Sequence, residues 1–175
     1  MNKSNIKKAV KSNTYLTVSV LGNSLKLNIK YVNTSSIKLN KKETEIDLFL
    51  PTKYKNIDNI DIINTSIQKL YNTIAETEIE YSMDMARYIL KFSPEDYNIK
   101  RLNNEFYKCS KNKITINPDI VKYNREIINI TIIQAFCQIK YKQNTKAYKE
   151  LLNNAINKYE IYIKNKKTSK ILKVS

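Results

Sequence analysis

Residues 125–141 read REIINITIIQAFCQIKY, and the rest of the chain is best approached from this stretch. Ile127, Ile128, Ile130, Ile132, Ile133, Phe136, Cys137 and Ile139 recur so that apolar groups lie nearly all round a helical cylinder. A helix apolar on every side belongs in the middle of a domain. Thr131, Gln134 and Gln138 interrupt that coat along one narrow stripe, which Tyr141 continues. Gln134 and Gln138 are four apart, so their side chains stack one turn apart on one face. A buried amide without a hydrogen bond costs about 1–3 kcal/mol. The stripe therefore either borders a cleft or is satisfied by a neighbouring sheet. A second helix is predicted from Thr145 to Lys164, with Tyr148, Leu151, Leu152, Ala155, Ile156 and Tyr159 at helical spacing as its core face.

Upstream, the period is different. Leu16, Val18 and Val20 alternate with polar residues, and after a turn at Gly22-Asn23 so do Leu25, Leu27, Ile29 and Tyr31. Ile37 with Leu39, then Ile46, Leu48 and Leu50, continue the alternation up to Pro51. Short alternating runs between turn residues predict an antiparallel meander with one wet face. Beyond Pro51, Ile63, Ile67, Leu70, Ile74, Ile79, Met83, Ala86 and Leu90 follow helical spacing until Pro94 closes the region. Residues 97–102 and 113–117 predict two further strands, the second ended by Pro118. The fold class expected is α+β: a β-rich antiparallel N-terminal part, a helical middle, and a strand-helix-helix C-terminal part.

Composition narrows the chemistry. The chain has 175 residues, 42% of them hydrophobic, and a single glycine, which excludes a disordered chain and a Gly-rich phosphate loop. Cys109 and Cys137 have no C-x-x-C partner, a pattern of reduced, buried thiols. No apolar run reaches the roughly 20 residues that span a bilayer, and basic Met1 to Lys11 is followed by no signal-like apolar segment. The expectation is a cytoplasmic protein with no membrane partner. There is no histidine at all, which removes every His-based triad. Glu76, Glu78, Glu80 and Asp84 sit together on a predicted helix and read as a solvated face. The net charge of +15 has two readings. Lys, Asn, Ile and Tyr are the residues an AT-rich genome favours, and arginine is limited to Arg87, Arg101 and Arg125. Alternatively, lysines gathered at both ends form a footprint for nucleic acid.

The segments EFYKCS (105–110), KITINPDIV (113–121) and EIINITIIQAFCQIKYKQNTKAYKELL (126–152) carry a resemblance. In order, spacing and hydrophobic texture, residues 101–159 resemble the YgjP-like zinc metallopeptidase family, related to the SprT-type minimal zincins. The stretch ending in FLP (49–51) is similar to that family's β-rich N-terminal part. The resemblance implies a zincin-like core over 97–163, within one metallopeptidase-like domain at 14–163 whose β-rich part is 14–51 and helical part 58–93. Basic tails at 1–13 and 164–175 flank it.

The same resemblance implies what has changed. The family's Trp-Gly-Ser-Cys strand keeps only its cysteine, as Cys109, after Phe106, Tyr107 and Lys108. The first metal-binding His of His-Glu-x-x-His falls on Gln134, the general-base Glu on Ala135, the second His on Gln138 and a third His on Asn144. Amides are poor zinc ligands and a methyl group is no base. The expectation is thus a chain with no cofactor, a pseudopeptidase that binds a protein or peptide partner. Thr131, Gln134, Gln138, Tyr141 and Cys109 would line the old cleft, and a peptide would add to the edge of the Cys109 strand. The alternatives are a nucleic-acid-associated module using the lysine-rich ends, since SprT-type relatives work on DNA-bound proteins, or a purely structural domain. Asn144 reads as the N-cap of the following helix or as a relic of the ligand set.

Overall fold

The computed structural model describes residues 16–171, with side chains up to Lys166; the expected basic tail at 1–13 lies outside them. The described residues divide into two compact units, 16–74 with Val121–Asn124, and Ala75–Ile120 with 125–171.

The first unit is built on a four-stranded sheet of order β1-β2-β4-β3, where β1 is Leu16–Val20, β2 Asn23–Val32, β3 Lys38–Lys41 and β4 Glu45–Pro51. Strands β1 and β2 form the expected hairpin, but its turn is Leu21-Gly22, with φ of 51° and 81°. Two successive positive φ values suit the right-handed twist of the flanking strands. A Cβ added at Gly22 would lie 2.9 Å from the Cβ of Asn124. The turn is held by two backbone bonds, Leu21 N to Val121 O (2.7 Å) and Gly22 N to Lys122 O (3.2 Å).

The antiparallel meander needs a correction. Strands β3 and β4 pair antiparallel, yet β4 runs parallel to β2 and sits between β2 and β3. The physical reason lies in the side chains of β4. Ile46, Leu48 and Leu50 are fully buried, so this strand gains most from a central place with both edges paired. Alternation along one strand says nothing of the direction of its neighbour. On the opposite face Asp47 is 2% exposed. Lys30 and Lys42 each approach it at 2.9 Å, and Asn28 donates to it at 3.2 Å. The hydrogen bond from Lys30, seconded by Lys42, holds its carboxyl well below the usual carboxylate range.

Helix α1, Ile60–Leu90, begins where Asp58 Oδ1 accepts the Ile60 N–H at 3.2 Å, and contributes to both units. Ile63, Ile67, Ile79, Met83 and Ala86 are buried at the predicted spacing. It stops at Lys91, whose φ is 61°, ahead of Pro94. Among the described residues no helix is long and apolar enough to cross a membrane.

The second unit has a three-stranded sheet of order β5-β7-β6: β5 Asp96–Ile99, β6 Tyr107–Ser110 and β7 Lys113–Ile116. Helices α2, Arg125–Lys140, and α3, Lys146–Ile171, complete it. Ile114, Ile116, Ile128, Ile132, Ile133, Phe136 and Cys137 are at most 1% exposed and form its centre. The all-round apolar coat of α2 opens at one corner, where Ile127 is 39% exposed. Tyr148 and Tyr159 are core, as their spacing predicts. Helix α3 continues through Ile171 rather than ending at Lys164. Lysine is a good helix former and no Gly or Pro intervenes. Tyr162 also packs on Tyr88, and Lys166 donates to the Tyr81 hydroxyl at 2.5 Å. One polar pin joins the three helices: Asn129 on α2 accepts from Ser82 on α1 (2.7 Å) and donates to Tyr159 on α3 (3.1 Å). The architecture is α+β, as expected from the change of period along the chain.

Candidate functional site

Strand β6 lies against α2 at the positions singled out in the sequence. The Cys109 thiol donates to the carbonyl oxygen of Ala135 at 3.5 Å. The edge position of β6 follows from the strand order, since β7 covers only one of its sides. Parity along β6 is set by the bond from Asn117 N to Phe106 O (2.8 Å) and by the Tyr107↔Ile116 register. In an antiparallel pair, alternate residues point their backbone groups to the partner. Phe106, Lys108 and Ser110 thus face β7, while the backbone groups of Tyr107 and Cys109 face outward. Asn117, 6% exposed, braces the approach to this strand. Its Nδ2 donates to Leu102 O (3.0 Å) and Glu105 O (2.9 Å), and its Oδ1 accepts the Asp119 N–H (3.1 Å). The sequence signals this residue only as a lone amide between Ile116 and Pro118.

The polar stripe of α2 separates into zones. Thr131 is 5% exposed, Gln134 and Gln138 are half-buried, and Tyr141 is exposed. Among the described residues no side-chain hydrogen bond engages either glutamine, and no buried side-chain nitrogen or oxygen lacks a partner. Both amides therefore reach solvent, so of the two sequence readings the stripe borders open surface. Asn144 is exposed with a φ of 69°. The N-cap of α3 is Thr145, whose Oγ1 accepts the Tyr148 N–H at 3.2 Å, which corrects the capping role expected for Asn144. An asparagine side chain tolerates the left-handed conformation that this turn requires.

The reactive side chains near Ala135 are held neutral. Burial pushes the Cys109 and Cys137 thiols up to about 11. Burial likewise raises the Tyr107 hydroxyl, with a further electrostatic contribution from Tyr148. A thiol is nucleophilic only as thiolate, so neither cysteine is poised for attack at neutral pH. Of the acidic residues singled out on α1, Glu76 is exposed and Glu78, Glu80 and Asp84 are paired with arginines. Arg125 grips Glu78 with bonds of 2.8 and 2.7 Å, and Arg87 bridges Glu80 (3.2 Å) and Asp84 (2.6 Å). The side chains of Gln134, Gln138, Ala135 and Asn144 offer two amides on α2, a methyl group and an exposed third amide. Among the described residues no group of three His, Cys, Asp or Glu is arranged to hold a metal ion. Zinc does not fit this donor set.

Two grooves lie away from Gln134 and Gln138. One, in the first unit, is lined by Ile37, Leu39, Ile62, Ser66, Leu70 and their neighbours. The other, in the second unit, lies between α1 and α3.

No curated protein and no solved structure matches the chain. A family model described as the YgjP-like metallopeptidase domain matches residues 1–167. That match covers the sheet of the first unit and the β6–α2 crossing alike, and the chain belongs to the YgjP-like metallopeptidase domain family.

Proposed function

We propose that the protein is a catalytically inactive member of its family that acts by binding an extended segment of a protein partner along the edge of β6. The observation that carries this reading is the β6–α2 crossing. It pairs a strand edge, with the backbone groups of Tyr107 and Cys109 directed outward, with a helix bearing Gln134, Ala135 and Gln138, the residues to which the family resemblance assigns the ligand and base roles. Strand addition takes its affinity from main-chain hydrogen bonds and its selectivity from alternate side chains. Such binding needs neither a metal nor a base. Gln134 and Gln138 stand half-exposed on α2, available to hydrogen-bond the bound segment. The absence of any histidine, with Ala135 where the family resemblance expects the base, supports the loss of peptidase chemistry.

Two measurements test the two halves of the proposal. The purified protein should contain less than stoichiometric zinc and leave a fluorogenic peptide library uncut; one tightly held zinc per chain would overturn the inactive reading. Peptides selected by display on the protein should protect the Tyr107 and Cys109 amides from hydrogen exchange. Protection confined to other elements would overturn binding at the β6 edge.

A further inference from the structure

A second surface of the C-terminal unit carries a different chemistry and uses none of the residues at the β6 edge. The groove between α1 and α3 has a volume of about 520 Å³ and is lined by Tyr88, Lys91, Lys158, Ile161, Tyr162 and Lys166 among others, with no carboxylate among the described residues that line it. Its aromatic groups stand in the open: Tyr88 is 61% exposed and Tyr81, at its rim, 39%. Tyr88 and Tyr162 approach at 5.7 Å between ring centroids. The lysines are arranged around these rings. Lys91 Nζ lies 4.3 Å over Tyr88, and Lys166 Nζ lies 4.6 Å from the Tyr81 ring and 5.7 Å from Tyr162. An ammonium resting on an exposed ring is weakly held, so Lys91 can leave Tyr88 for a phosphate oxygen, while Lys166 exchanges its hydrogen bond to the Tyr81 hydroxyl for a charged one, neither breaking an ion pair.

We propose that this groove binds a single-stranded nucleic acid, with one base stacked on Tyr88 and the adjoining phosphates taken by Lys91, Lys158 and Lys166. Aromatic rings interleaved with lysines serve both parts of such a strand, because every unpaired base has a flat face and every linkage a negative charge. A duplex keeps its base faces inside the stack and cannot use the rings. An acidic peptide matches the charge but leaves the tyrosines without a planar partner. The inference is independent of the peptide reading above. It also differs from a diffuse attraction to lysine-rich ends, since it demands that an uncharged ring contribute.

The test is fluorescence anisotropy of a labelled oligothymidylate with the full chain, titrated over a range of salt. Three phosphate contacts predict a slope of log K against log salt of about −2. Tyr88→Ala removes no charge and should weaken binding on the order of tenfold, whereas Tyr88→Phe should leave it unchanged. Lys158→Gln should make the slope shallower by about 0.7. Both residues are exposed, so the melting temperature should stay at the parent value, and circular dichroism checks the fold of each variant. Unchanged affinity in Tyr88→Ala would place the binding in unspecific charge and overturn the proposal. So would a duplex of equal length bound as tightly, tighter retention on anionic vesicles than on the oligonucleotide, or no binding at low salt.

Discussion

Restoring the family's ligands tests the residue assignment at the β6–α2 crossing most sharply. The variant is Gln134→His, Gln138→His and Asn144→His. Gln134 and Gln138 are half-buried without side-chain hydrogen bonds among the described residues, so their loss strands no partner. Histidine costs a few tenths of a kcal/mol more than glutamine in a helix. Asn144 has a φ of 69°, a region where histidine is enriched over most residues. The metal-free variant should therefore stay within about 1 kcal/mol of the parent. A three-His set with an open fourth position is a zinc site. With free zinc at a hundred times the dissociation constant, native-state binding adds about 2.7 kcal/mol. For a chain of this size each kcal/mol raises the melting temperature by roughly 2–4 °C, so zinc should raise it by about 5–11 °C. Differential scanning calorimetry with zinc and with a chelator gives the shift, and equilibrium dialysis the stoichiometry. A variant that melts cooperatively yet binds no more zinc than the parent would refute the reasoning. The three side chains then would not converge, and the site assignment would fall while family membership stood.

The remaining expectations concern stability and thiol chemistry. Asn129→Ala removes the bonds to Ser82 and Tyr159 in a buried setting, and should cost about 2–4 kcal/mol in denaturant unfolding. A double-mutant cycle with Tyr159→Phe should show coupling, and strict additivity would mean that the pin is not an energetic unit. Gly22→Ala should cost about 1–3 kcal/mol, from its φ of 81° and the 2.9 Å approach to Asn124; a neutral effect would show that the turn relaxes. Native-state alkylation of Cys109 and Cys137 at pH 8 should be slow and accelerate in denaturant. Their folded-state values of about 11 lie above the ordinary 9.0, so the folded state keeps protons that the unfolded state has lost. Stability should accordingly fall from about pH 9 to pH 11, and Cys137→Ala should flatten part of that fall; a profile the same in the variant would exclude Cys137 as a source.

Several features of this protein were determined by the sequence alone. The switch from period two to period 3.6 after Pro51 marks the passage from sheet to α1, because which side chains share a face is a local property of the backbone. The buried line Ile63, Ile67, Ile79 and Met83, and the core placement of Tyr148 and Tyr159, follow from the same local geometry. The lack of histidine needed no structure at all. Tertiary structure decided the rest. The parallel pairing of β2 with β4 is invisible to alternation, since burying Ile46, Leu48 and Leu50 between two strands is a gain that depends on residues far along the chain. Helical spacing puts Thr131, Gln134, Gln138 and Tyr141 on one stripe, but packing buried Thr131, left Gln134 and Gln138 at the surface and turned Tyr141 outward. Asn129, overlooked in an isoleucine-rich stretch, became the pin of three helices only because Ser82 and Tyr159 arrive from sites 47 and 30 residues away. Hydrogen bonds and ring stacking act over a few ångströms, so residues this distant in sequence become partners only when the helices that carry them pack together.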